Sequence, residues 1–165
     1  MFSRIFVAAS LTVLSLPAYC QSPPASSPAT PPARVFYDQF MFRVNWLQTQ
    51  ANNLKAQAKD DSFMRSYMQR SAGLTTQQAA SLNAIAADCQ AQTQALVGQI
   101  KALAGTAMTS AISQQVQSLL CQRQQAVIDH MSQLQTAFGA AQYAALDSFV
   151  HATVNFGGGS TPPPR

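Results

Sequence analysis

The chain has 165 residues, about one domain's worth, with 47% apolar and only 10% charged residues, no Glu, and a formal charge of +4. The apolar fraction excludes a wholly disordered chain, and ten basic against six acidic residues is too mild an excess for a nucleic-acid binder or a polybasic membrane anchor. Ala (28 residues) and Gln (21), both good helix formers, dominate, and seven Gly leave little room for the turns of an all-β fold, so the expected class is all-α.

At the N-terminus, Arg4 and the terminal amine precede an apolar run of 12 residues, Ile5 to Leu16. That is the length of a signal-peptide core and too short to span a bilayer. Pro17 breaks the run, and Ala18-Tyr19-Cys20 sets small residues at the −3 and −1 positions of a cut before Gln21. Residues 1–20 therefore read as a signal peptide and the mature chain as secreted or periplasmic. Lipidation of Cys20 is the rival, disfavoured by the bulky Tyr19. No later stretch reaches the ~18 apolar residues of a membrane helix, so no integral membrane segment is expected after cleavage. Residues 21–34, rich in Pro, Ser and Ala, read as a disordered or polyproline-like linker. Residues 35–156 form the expected helical domain, and 157–165, GGGSTPPPR, a disordered tail. The triple Gly is no phosphate loop, because no strand precedes it and no Lys-Ser/Thr follows.

The first helix is expected from Val35 to Lys59. Phe36, Phe40, Val44, Leu47, Ala51, Leu54 and Ala58 fall on one face, and Val35, Phe42 and Trp46 on the opposite one. Asp60-Asp61-Ser62 reads as a break and an N-cap. A short second helix, Phe63 to Ala72, carries Phe63, Met64, Tyr67 and Met68, with Gly73 placed as a left-handed C-cap.

Leu74-Thr75-Thr76-Gln77-Gln78 opens the third helix with a capping box: Thr75 accepts from the Gln78 amide, and Gln78 reaches back to the Thr75 amide. This helix runs to about 103 on a stripe of Leu82, Ile85, Ala86, Cys89, Leu96, Ile100 and Leu103. After a turn at Gly105 the fourth, 110–138, presents Ile112, Val116, Leu119, Ala126, Val127, Leu134, Ala137 and Phe138. A fifth follows from Ala140 to Val154. The architecture expected is about five helices, with a long antiparallel hairpin (76–103 and 110–138) plus flanking helices.

Leu74-Thr75-x-x-Gln78 resembles the LTxxQ motif of the Spy/CpxP family of periplasmic helical proteins, which usually carry two copies. Phe138-Gly139-Ala140-Ala141-Gln142 stands 64 residues on, with Phe in place of Leu and Gly in place of the capping Thr. The resemblance implies a thin, bent helical dimer whose concave face holds unfolding clients without ATP; some relatives sense envelope stress or bind metal.

Several residues are candidates for function. Phe36, Phe40, Phe42, Trp46 and Leu47 make the first helix apolar on two faces, which must be buried on both or leave a patch for a dimer seam or client. Aromatics with the single Arg43 are too little for single-stranded nucleic acid. Arg123 and His130 interrupt the fourth helix's apolar stripe and need partners if buried, or they mark a polar anchor in a cleft. Cys89 and Cys121 lie symmetrically about Gly105, as a hairpin disulfide requires, yet Cys121 points about 140° from its own stripe at ~100° per residue. An intrachain disulfide, free buried thiols and an interchain bond from Cys121 all remain open. Met64, Met68, His130, Met131 and His151 show no metal-ligand spacing, so no metal and no cofactor are expected.

No GxSxG, HExxH or other catalytic motif occurs, so no catalytic residue is assigned and an enzyme is not expected. The expected function is binding of unfolded or partner polypeptide, chaperone-like and ATP-independent, by a homodimer. The alternative is a structural or sensory envelope module with one fixed protein partner or a metal.

Overall fold

The computed structural model describes residues 33–105, 107 and 109–154. They form five α-helices: α1 (Ala33–Ala56), α2 (Ser62–Ser71), α3 (Thr76–Ala104), α4 (Ser110–Phe138) and α5 (Ala140–Thr153). No strand occurs among the described residues, so the fold is all-α. The expected signal segment and the C-terminal tail lie outside the described residues. Ala33 and Arg34, expected in the linker, already belong to α1.

The ends of the helices follow local chemistry. α1 stops at Ala56, three residues before the expected Lys59, because Ala58 adopts a left-handed backbone (φ 54°). The Lys59 amide then turns back to donate to the Leu54 carbonyl at 2.9 Å, satisfying an end-of-helix acceptor. Asp60 accepts from the Ser62 amide at 2.9 Å and so starts α2, while Asp61, at the N-cap position, makes no side-chain cap and instead pairs with Arg65. Gly73, at φ 64°, reverses the chain so that the Leu74 amide donates to the Gln69 carbonyl at 2.9 Å. α4 and α5 meet at Gly139, whose φ of 72° lets it serve as the C-cap of one helix and the N-cap of the next.

α3 and α4 form the antiparallel hairpin. The core lies at its open end. There Leu82, Ala86 and Cys89 of α3, with Val127, Leu134 and Phe138 of α4, enclose the inner side of α1, joined by Met68, Leu74, Leu146 and Val150. Burial of large side chains of this kind contributes about 1.5–3 kcal/mol each. α1 is buried over a wider arc than the expected stripe. Tyr37 and Met41 are fully buried beside Phe36, Phe40, Val44 and Leu47, with α5 packed on the rings of Phe36, Tyr37 and Phe40. Tyr37 stacks on Tyr143 and donates to Asp147 Oδ1 at 3.1 Å. Burial, with Tyr143 and the Asp147 carboxylate alongside, holds its hydroxyl far above its ordinary pKa, so it stays a donor. Leu54 and Ala58, expected on the buried stripe, are half-buried and exposed, since α1 has run past the core by then. No helix among the described residues is long and apolar enough to cross a membrane.

Candidate functional site

The core follows α3 only as far as Cys89. Beyond that point α1 and α3 separate, and a groove of about 940 Å³ opens between them, reaching Arg123 on α4. α1 contributes Asp38, Gln39, Phe42, Arg43 and Trp46 to it; α3 contributes Gln90, Thr93, Gln94, Val97, Gly98 and Lys101.

Phe42 and Trp46, one helical turn apart, remain 57% and 46% exposed. They lie on the side of α1 away from its core face, where no helix covers them. Gln90 and Thr93 are buried although polar; the Thr93 hydroxyl is satisfied within its own helix, donating to the Cys89 carbonyl at 2.8 Å. Val97 is half-buried, and beside it Gly98 leaves the α3 backbone bare: a Cβ there would meet nothing within 4 Å.

The charges are unevenly partnered. Arg123 Nη2 donates to Asp38 Oδ2 across the α4–α1 junction, while its buried Nε has no hydrogen-bond partner. Arg43 and Lys101 make no ion pair among the described residues. The groove thus carries three cationic side chains against one carboxylate.

The sequence-expected binding face divides. Phe36, Phe40 and Leu47 are core residues: the Phe36 ring packs on His151 with centroids 4.3 Å apart, and Phe40 meets Phe149 edge-on. They present no binding surface; of the five, only Phe42 and Trp46 do. The reason is rotational, since α1 buries nearly half its circumference and these two fall outside that arc.

Arg123 and His130, expected as one polar feature, have separate settings. Arg123 lines the groove, whereas His130 is 2% exposed and lies away from it. The His130 ring bridges the Ala126 carbonyl (Nδ1, 2.6 Å) and Asp88 of α3 (Nε2, 3.1 Å). Leu74, Thr75 and Gln78 also lie outside the groove, with Gln78 roughly 18 Å along α3 from Gln90. Leu74 is buried, and both halves of the capping box form: the Gln78 amide donates to Thr75 Oγ1 (3.2 Å) and the Thr75 amide to Gln78 Oε1 (2.9 Å). The degenerate copy at 138–142 makes no side-chain cap, because Gly139 has no hydroxyl.

Of the alternatives left open for the cysteines, a Cys89–Cys121 disulfide is not formed. Cys89 is a buried free thiol, and Cys121 is disulfide-bonded, but not to Cys89. The helical phase explains this: Cys89 faces the core, and Cys121 points off the inward stripe of α4. Burial pushes the Cys89 thiol up to about 11, helped by the Asp38 and Asp88 charges and opposed by Arg123.

Asp38, Gln90, Val97, Gly98 and Lys101 were not singled out from sequence. Gly98 had a usable signal, as an isolated Gly inside a helix otherwise built of Ala, Leu and Gln. No group of three or more His, Cys, Asp or Glu residues that could hold a metal ion occurs among the described residues. No protein-family model, no curated protein and no solved structure matches this chain.

Proposed function

We propose that this protein is a non-enzymatic binder of polypeptide segments, acting without ATP in a secreted or periplasmic setting, and that the α1–α3–α4 groove is where it binds. The observation that carries this reading is the exposed pair Phe42 and Trp46, facing a groove that also holds Val97. Two large rings left in water are an unfavourable arrangement for a lone chain and a usual mark of an interaction surface. Aromatic rings bind varied side chains at low entropic cost, and the amides of Gln39 and Gln94 beside them supply both donors and acceptors to a peptide backbone. The resemblance of Leu74-Thr75-x-x-Gln78 to the Spy/CpxP motif favours the same role.

The test is suppression of aggregation of an unfolding model client by the purified chain with its Cys121 disulfide intact, without ATP. Suppression near equimolar ratio, weakened by Phe42→Ala and Trp46→Ala, is the expected result. No suppression at several-fold excess overturns the reading. Homodimerisation through the same aromatic pair is the competing use of this surface, and sedimentation of the wild type against Trp46→Ala separates the two.

A further inference from the structure

We infer that the groove selects acidic polypeptide segments: an apolar side chain seats between Phe42 and Trp46, and carboxylates on either side pair with Arg43 and Lys101. This rests on the polypeptide-binding reading and specifies its partner.

Charge complementarity is the first support. In a chain with only 10% charged residues, three of the ten basic side chains meet at this one groove. Asp38 is engaged by Arg123, so it does not neutralise Arg43 or Lys101. These two come from different helices, Arg43 from α1 and Lys101 from α3, so an anionic chain lying in the groove meets a cation on each wall. Arg123 and Asp38 neutralise one another, so Arg43 and Lys101 carry the net charge of the groove. A basic segment would meet like charge on both walls, which disfavours it.

Gly98 is the second, independent support. A helix-interior Gly is unfavourable relative to Ala. Here no internal contact requires it, since a Cβ would meet nothing within 4 Å. Its consequence lies on the groove side, where the α3 backbone is open to close approach beside Val97. A bound chain can lie directly against that turn of helix.

Trp46 is the only tryptophan in the chain, so its emission reports on the groove alone. The test uses short synthetic peptides with one central Leu-Phe pair flanked by Asp, by Lys or by Ser, titrated into the purified chain with its Cys121 disulfide intact. Emission and the anisotropy of a labelled peptide are both followed. The expected result is a blue shift of Trp46 and about tenfold tighter binding of the Asp peptide than the Lys peptide, a difference that shrinks with salt. In the Arg43→Gln/Lys101→Gln variant the two peptides converge. Gly98→Ala folds with a raised melting midpoint and binds the Asp peptide several-fold more weakly.

Equal binding of all three peptides overturns the acidic selection while leaving polypeptide binding in place. No Trp46 response to any of them overturns both. A response to vesicles of anionic phospholipid with none to the Asp peptide overturns the assignment to a polypeptide. Undiminished binding by Gly98→Ala removes the close approach at that turn.

Discussion

His130 Nε2 lies 3.1 Å from Oδ2 of Asp88, joining a fully enclosed α4 ring to an α3 carboxylate that is 74% exposed. The other ring nitrogen, 2.6 Å from the Ala126 carbonyl, also faces an acceptor. The pair links the two long helices, with one end in the core and the other in water. His130→Ala is expected to cost about 2–4 kcal/mol, from lost packing around an enclosed ring. Asp88→Ala should cost about 1 kcal/mol, since solvent screens its exposed carboxylate. Urea unfolding of both single variants and the double variant gives the coupling, expected at about 1 kcal/mol; additivity would show that the contact carries no energy.

Arg123 and Asp38 form the second cross-helix link, and its two halves are unequal. Removing Asp38 leaves a guanidinium only 33% exposed, its Nε already unpartnered, with no countercharge. Removing Arg123 takes the orphaned donor away with it. Asp38→Asn is expected to lose about 1–2 kcal/mol and Arg123→Met less than about 1 kcal/mol, as read from urea midpoints. The reverse order would contradict this account.

Ala58 holds a left-handed backbone at φ 54° where a Cβ is penalised. The conformation persists because the Lys59–Leu54 hydrogen bond needs it. Ala58→Gly is expected to stabilise the fold by about 0.5–1 kcal/mol, and the β-branched Ala58→Val to destabilise it. Thermal midpoints decide; no gain from Gly would show that the strain is absent in solution.

Cys89 is expected to be inert in the native protein. Its thiol is pushed up to about 11, so at pH 8 it reacts with a disulfide reagent only after unfolding. The sign of its pH effect follows. An unfolded thiol ionises near pH ~8.5, whereas the folded one stays protonated. Its contribution is therefore complete below about pH 8.5 and is lost as pH rises from there toward 11. Cys89→Ser or Cys89→Ala should flatten the alkaline loss of stability between those limits.

The helices themselves were legible in the residues. Apolar spacing, the Thr75–Gln78 box and Gly73 are local signals, acting within one or two turns, and they set the element boundaries to within a few residues. The hairpin followed from a short polar break between two long periodic stripes.

The groove was only half legible. The two-faced aromatic helix marked α1, but which face meets water depends on what packs against it. α5 meets the rings of Phe36, Tyr37 and Phe40, the rest of the inner face of α1 joins the common core, and Phe42 and Trp46 are left over. Likewise Arg43 and Lys101 lie 58 positions apart in the chain, and nothing local relates them. Class, element order and the Thr75 and Gly73 caps come from the residues alone, because short-range hydrogen bonding and hydrophobic phase are properties of a segment. The tertiary structure alone decided the fate of Cys89, the partners of Arg123 and His130, and the gathering of cations around two bare rings, because these depend on the angle and separation at which whole helices meet.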